Sequence, residues 1–163
     1  MGMRLPFFRL LQEARVIKIV SFEFDPFVEV QAYQQQQQAL AGKYGATNLF
    51  VGTMRDFNEG DKVKGMTLEH YPGMTEKQLT KVVAKAGKQW ALLDSLVIHR
   101  VGDVYPDDVL VLVAIWSVHR GDAFDASRFI MEELKSNVPF WKKEILVDDN
   151  SRWVAKNSDG YLL

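Results

Sequence analysis

The chain contains no cysteine in its 163 residues, and this absence removes several kinds of chemistry at once. Disulfides, thiolate metal sites and a cysteine nucleophile or sulfur carrier are all excluded within the chain. If sulfur chemistry takes place here, another molecule must supply the sulfur.

The chain also lacks an excess of charge of either sign and a long hydrophobic run. Its 20 lysines and arginines against 21 aspartates and glutamates give a formal net charge of −1, so no global basic field is available to hold nucleic acid or an anionic membrane. The longest apolar stretch, residues 109–116, is far too short to span a bilayer, and the N-terminus lacks the apolar core and cleavage site of a secretion signal. We therefore expect a cytoplasmic protein in which local clusters carry any anion binding.

Short motifs for metals and cofactors are missing as well. His70, His99 and His119 lie far apart in the sequence without metal-ligand spacing. The chain has neither a glycine-rich phosphate loop nor a nucleophile elbow. We expect no metal site and no resident cofactor.

The hydrophobic pattern predicts alternating strands and helices with no linker between them. Asp25 and the proline after it predict the start of a helix whose five consecutive glutamines form a solvated face. A Thr75…Gln78 capping box predicts the start of a second helix, and Asp122 predicts the N-cap of a third. Pro139 forbids continuation of that third helix.

The remaining apolar segments predict strands at residues 16–20, 46–54, 64–71, 96–101, 109–117, 141–147 and 152–154, with a mobile loop at residues 55–61. The segments 96–101 and 109–117 are predicted to form a hairpin, and the second is apolar enough to be a central strand covered on both faces. The order predicts a single-domain α+β fold with a mostly antiparallel sheet and three helices. Residues 15–163 form this domain, and residues 1–14 are an extension that could be an amphipathic arm, a contact segment or dispensable.

One cluster of cations stands beside an apolar segment. Lys135 lies in the predicted last turn of the third helix, and Lys142 and Lys143 follow the apolar tripeptide Pro139-Phe140-Trp141. A turn through the proline would bring Lys142 back towards Lys135, and neighbouring cations lower each other's pKa into a range useful for proton exchange or attack on a carbonyl. Alternatively, Lys135 is only a partner for the helix dipole.

Two other positions could bind an anion. His119 and Arg120 come where a strand runs into a helix N-terminus, where free N–H groups favour an anion. The alternative is a solvated surface turn. Arg55, after Thr53 and Met54 at the mouth of the predicted loop, could fold over a bound anion or be an ordinary loop arginine.

Four segments together resemble a known family. They are LEHYPGMTEKQL (68–79), VIHRVGDVYPDD (97–108), SVHRGDAFDASRFIMEELK (117–135) and PFWKKE (139–144). They are similar to the large, catalytic subunit of molybdopterin synthase, and the resemblance covers about residues 46–156.

The resemblance implies an α/β-hammerhead-like fold and a sulfurtransferase of molybdenum cofactor biosynthesis. Its partners would be a second copy of itself and a small ubiquitin-like subunit, giving a heterotetramer. The Gly-Gly tail of the small subunit ends in a thiocarboxylate that supplies two sulfurs to cyclic pyranopterin monophosphate, giving molybdopterin. The absence of cysteine fits this expectation, because the sulfur is carried by the partner.

The resemblance also implies roles for individual residues. Lys135 would be the general acid and base, with or without a transient covalent adduct, and Lys142 would stabilise the developing oxyanion and keep the pKa of Lys135 low. Lys143 stands where relatives often have arginine. The implied substrate-binding set is Thr53, Met54, Arg55, His119, Arg120, Lys135, Lys142, Lys143 and Glu144.

Two other kinds of function compete with this reading. A non-catalytic adaptor could use the same groove only to bind a ubiquitin-like tail, which predicts partner binding without product. A phosphate-binding sensor of a small molecule would need no protein partner.

Overall fold

The structure is a computed structural model that describes residues 15–155 and residue 157, and the predicted extension 1–14 lies outside the described residues. Its helices are α1 (Pro26–Gln36), α2 (Met74–Gln89) and α3 (Arg120–Asn137), with a short 3₁₀ helix at Gln38–Leu40. Its strands are β1 (Val16–Val20), β2 (Ala46–Thr53), β3 (Phe57–Asn58), β4 (Asp61–His70), β5 (Leu92–Arg100), β6 (Gly102–Val104), β7 (Val109–Ser117), β8 (Phe140–Leu146) and β9 (Ser151–Trp153). The predicted α+β class is confirmed.

The larger core lies on both faces of a four-stranded sheet with the order β1-β5-β7-β2. β5 and β7 pair antiparallel, as predicted, and β7 is buried on both faces at the centre of the sheet. Because side chains alternate along a strand, β7 sends one set towards α2 and α3 and the other towards α1. The first set includes Val111, Val113 and Ile115, and the second includes Leu112, Ala114 and Trp116.

The second sheet has the order β3-β4-β8-β9, and β6 pairs with β4 along the edge opposite β8. A small core lies on its inner face and consists of Met54, Val63, Met66, Leu68 and Val104. β6 was not predicted. It belongs to the second sheet, although it lies in the chain between β5 and β7 of the first sheet. β3 replaces part of the predicted mobile loop, because Glu59 and Gly60 adopt positive φ and allow a tight hairpin with β4.

Two predicted helix caps are wrong, whereas the first is confirmed. Asp25 caps α1 by accepting a hydrogen bond from the Phe27 N–H at 2.8 Å. α2 begins earlier than the predicted capping box, because the Gly73 N–H donates to the Glu76 carboxylate and Thr75 is buried. α3 likewise begins at Arg120.

His119 is the N-cap of α3, and Asp122 lies inside the first turn. The negative charge of Asp122 still interacts favourably with the positive end of the helix dipole, although Asp122 is not the N-cap residue. The end of α3 at Asn137 agrees with the stop predicted from Pro139. Among the described residues, no helix is both long enough and apolar enough to cross a membrane.

Candidate functional site

A cavity of about 160 Å³ opens where the second sheet meets the end of α3. Its walls come from the end of β2, from β3, β4 and β8, and from the segment after β9. The lining residues are Thr53, Met54, Arg55, Phe57, Asn58, Val63, Met66, Leu110, Lys135, Lys142, Glu144, Val154 and Asn157.

The turn between α3 and β8 brings Lys135 and Lys142 to this cavity. α3 ends at Asn137, and the extended Val138 leads through Pro139 into β8. β8 then pairs antiparallel with β4, with Lys142 opposite Leu68. Because Leu68 belongs to the small core of this sheet, Lys142 is placed on the inner face and its ammonium faces the helix end.

Burial is the largest influence on Lys142. It lowers the pKa of the Lys142 ammonium, the positive charge of Lys135 lowers this pKa further, and the carboxylate of Glu144 opposes both effects. The ammonium donates a hydrogen bond of 2.6 Å to Asn157 Oδ1. Lys142 is therefore a partly desolvated cation that gives up its proton more easily than a surface lysine.

Glu144 is buried and lines the same cavity as these lysines, and both oxygens of its carboxylate accept hydrogen bonds from other side chains. One oxygen accepts a hydrogen bond of 2.7 Å from the Asn58 side chain, and the other accepts one of 3.0 Å from Arg152 Nε. Arg152 also donates to Asp61 at 2.7 Å. This network holds the β3–β4 hairpin and β9 against β8, so Glu144 orders the wall of the cavity.

Arg55 stands on the rim directly after β2. Met54 is anchored beneath it, because its N–H donates to the Asp108 carbonyl and its carbonyl accepts from the Asp107 N–H, each at 2.9 Å. The Arg55 guanidinium lies 4.9 Å from the centre of the Phe57 ring, a cation–π contact. Arg55 is exposed, so it can reach a ligand at the cavity mouth.

The apolar segment before Lys142 is buried only in part. Phe140 stacks on the buried His99 with ring centres 3.9 Å apart, and Val138 is buried. Burial lowers the pKa of His99 to about 4, so this imidazole is neutral. Trp141, however, is 48% exposed, because alternation along β8 turns it to the outer face of the sheet.

Three of the predicted site residues do not line this cavity. Lys143 points to the outer face of β8, where its ammonium lies 5.7 Å from the centre of the Trp153 ring. His119 and Arg120 are exposed at the opposite end of α3 from Lys135. The rise of an α-helix places Arg120 about 22 Å from Lys135 along the axis, too far to share one pocket within this chain.

The sequence did not point to Phe57, Asn58 or Asn157. The first two belong to a hairpin that was interpreted as a loop, and Asn157 lies beyond the last strand with no motif around it. The described residues also contain no cluster of three or more His, Asp or Glu side chains that could hold a metal ion.

The chain is similar to known proteins in both sequence and structure. The family model described as MoaE protein matches residues 25–137. A molybdopterin synthase catalytic subunit from Ralstonia nicotianae is 49% identical over 138 residues, which are 85% of this chain and 76% of the relative.

Solved structures share the fold. A molybdopterin biosynthesis MoaE protein from Burkholderia ambifaria has 45% identity and a TM-score of 0.72, covering 90% of this chain and 93% of that chain. A complex of subunits 1 and 2 of molybdopterin-converting factor from Helicobacter pylori shares the fold at 23% identity, with a TM-score of 0.70 over 87% of this chain and 92% of that chain. The chain therefore belongs to the MoaE protein family.

Proposed function

We propose that this chain is the catalytic subunit of a molybdopterin synthase and transfers sulfur to cyclic pyranopterin monophosphate in molybdenum cofactor biosynthesis. The relative from Ralstonia nicotianae carries that catalytic-subunit name. The sulfur comes from the thiocarboxylate that ends the tail of a small ubiquitin-like partner, and two transfers complete the dithiolene. A protein with no cysteine needs such an external donor. The proposed location is the cytoplasm.

The observation that carries this proposal is the meeting of Lys135 and Lys142 at one cavity with Arg55 on its rim. Both proposed ligands, a thiocarboxylate and a cyclic phosphate, are anions, and these three cations attract them. The lowered pKa of Lys142 also brings this amine closer to proton exchange near neutral pH.

The proposed roles follow from position. Lys135, in the last turn of α3, acts as acid and base at the thiocarboxylate carbon, with or without a covalent adduct, and Lys142 stabilises the oxyanion that develops there. Arg55 holds the substrate phosphate. Thr53 and Met54 shape the adjoining wall, and Glu144 keeps that wall ordered through Asn58 and Arg152.

His119 and Arg120 enter the proposal through a second copy of the chain. They stand about 22 Å from Lys135 within one chain, by helix rise, yet they lie exposed at a helix N-terminus suited to an anion. In the proposed homodimer, each copy supplies these two residues to the cavity of the other. With one small partner on each cavity, the assembly is a heterotetramer. The Helicobacter pylori structure is a complex of subunits 1 and 2 of molybdopterin-converting factor, which is consistent with a second kind of subunit.

The alternative is an adaptor that binds a Gly-Gly tail without reaction. Such an adaptor has no use for a partly desolvated lysine beside a second one, because the charge of Lys135 makes the charged form of Lys142 less favourable. Mixing the chain with a thiocarboxylated Gly-Gly-tailed partner and cyclic pyranopterin monophosphate separates the two functions. The transferase gives a dithiolene product, whereas the adaptor gives only a complex. A phosphate sensor would bind the pterin alone.

Lys135→Ala tests the catalytic role within this assay. We expect sulfur transfer to fall by a factor on the order of 10³, because the proton-transfer group is lost, while affinity for the partner stays within a few fold. Lys88→Ala is the matched control, since Lys88 occupies the last turn of α2 as Lys135 does in α3. If Lys135 only complements a helix dipole, the two variants will have equal activity, and the proposal fails.

A further inference from the structure

We propose that Asn157 is a positioning residue for the lysine pair, and that its side-chain amide fixes the ammonium group of Lys142 against the end of α3. The proposal deepens the proposed function, because the groups it positions are the proposed catalytic lysines.

The amide of Asn157 uses both of its ends. Oδ1 accepts a hydrogen bond of 2.6 Å from Lys142 Nζ, and Nδ2 donates to the main-chain carbonyl of Lys135. That carbonyl belongs to the last turn of α3, where carbonyl groups have no partner within the helix. Among side chains, only Asn and Gln carry a donor and an acceptor in one rigid amide group. A single side chain thus links the two lysine segments.

The segment after β9 delivers Asn157 to this place. Trp153 pairs with Lys143, and the Val154 N–H then donates a hydrogen bond of 2.8 Å to the Lys142 carbonyl. The ladder between β8 and the C-terminal segment therefore continues past the end of β9. Val154 and Asn157 both line the cavity.

The charges around Lys142 explain why a neutral amide suits this position. Lys135 and Arg55 line the same cavity as cations, and His99, also near enough to interact, is neutral. Glu144 is the anion on the same strand, and its two oxygens already accept from Asn58 and Arg152.

Among the described residues, the acceptor for the Lys142 ammonium is therefore uncharged. An amide orients this ammonium without the strong preference for the charged form that a carboxylate would add. Asn157 holds the group in place while leaving its proton available.

Competitive acetylation of the full chain tests this role without requiring turnover. Trace acetic anhydride is applied at a series of pH values, and the labelling of Lys142 and Lys135 is quantified by mass spectrometry to obtain their titration curves. The variants are Asn157→Ala and Asn157→Asp. Asn137→Ala is the control, because Asn137 lies at the same helix end and its side chain bonds only Glu133 among the described residues.

We expect the two variants to move the Lys142 titration in opposite directions. Asn157→Ala removes an acceptor from the ammonium and lowers its pKa, whereas Asn157→Asp adds a negative charge and raises it. In the sulfur-transfer assay, Asn157→Ala should lower kcat about tenfold with a smaller effect on KM, since the lysines are misplaced for the chemical step.

Titration curves that match the Asn137→Ala control in both variants would overturn the positioning role. If Asn157 contributes only to stability, both variants will have a lower unfolding temperature, and the Lys142 titration curves of the two variants will coincide. A wild-type chain that shows no sulfur transfer would count against the proposed function alone, and the labelling result would still decide the role of Asn157.

Discussion

At the scale of single residues, Asp94 is a carboxyl group buried beside the larger core. It is fully buried on β5, where Oδ1 accepts a hydrogen bond of 2.9 Å from the Tyr33 hydroxyl of α1. Its Oδ2 has no hydrogen-bond partner in the part of the chain that the structure describes. Burial raises the pKa of Asp94 to about 6 from 3.8, and the bonds from Tyr33 and the Ser95 N–H reverse only part of this effect.

This residue makes stability depend on pH in a defined direction. A folded-state pKa above the unfolded one means that the folded chain binds the proton more tightly. The contribution of Asp94 to the free energy of unfolding is therefore most favourable at low pH and is lost as the pH rises through about 6. Fully ionised Asp94 costs on the order of 3 kcal/mol relative to its protonated form.

We accordingly predict that Asp94→Asn stabilises the chain at pH 8 and has a smaller effect at pH 5. The neutral amide keeps an acceptor for Tyr33 and removes the buried charge. Urea unfolding of both proteins at the two pH values measures the difference. An Asn variant that is less stable at pH 8, or a gain of the same size at both pH values, would show that Asp94 is not ionised at a cost in the folded state.

At the scale of secondary-structure elements, the connection from α3 to β8 determines the positions of Lys135 and Lys142. Thr75 anchors this connection through a hydrogen bond. The Thr75 hydroxyl accepts from the Tyr71 N–H and donates to the Pro139 carbonyl, each at 3.0 Å. It therefore joins the start of α2 to the turn that separates Lys135 from Lys142.

We predict that Thr75→Val lowers the free energy of unfolding by about 1–3 kcal/mol, because the shape is kept while two partly buried polar groups lose their partner. Thr80→Val is the control, since Thr80 is exposed on the same helix and its hydroxyl donates to the Glu76 carbonyl alone in the described part of the chain. Its effect should stay within about 0.5 kcal/mol. Equal losses in the two variants, measured by urea unfolding, would mean that helix propensity rather than the Pro139 contact is responsible.

Elements that depend on a repeating apolar pattern were predictable from the sequence. The stripe Leu79, Val82, Val83 and Ala86 on α2 is core, and the apolar run of β7 is a central strand. The N-cap of α2 was misplaced because the Thr75 hydroxyl donates to the Pro139 carbonyl, 64 residues away, and does not cap the helix. β3 and β6 were missed because strands of two and three residues are set by their pairing partner and carry no pattern of their own.

At the scale of the whole molecule, the predicted site residues divide into two groups. Lys135, Lys142 and Arg55 meet at one cavity, because a proline-limited helix end and an alternating strand place them there. The meeting of Lys135 and Lys142 could be inferred from residue types and spacing, whereas only the family resemblance grouped Arg55 with them. His119 and Arg120 stand at the far end of α3, and the sequence alone could not assign them to one copy or another.

The proposed homodimer combines, in each complete site, the lysines of one copy with His119 and Arg120 of the other. It predicts complementation between two impaired variants in a mixed dimer. A chain with Lys135→Ala pairs with a chain with Arg120→Ala, and each mixed dimer then contains one intact site. Random pairing makes half of the dimers mixed, so sulfur transfer should recover to about a quarter of the wild-type rate.

The direct measurement is the rate of dithiolene formation by co-expressed variants. The Lys135→Ala and Arg120→Ala pair should recover activity, whereas the Lys135→Ala and Lys142→Ala pair should not, because both lysines of a site come from one chain. Activity of the first pair no higher than that of either variant alone, or recovery of the second pair, would contradict the account.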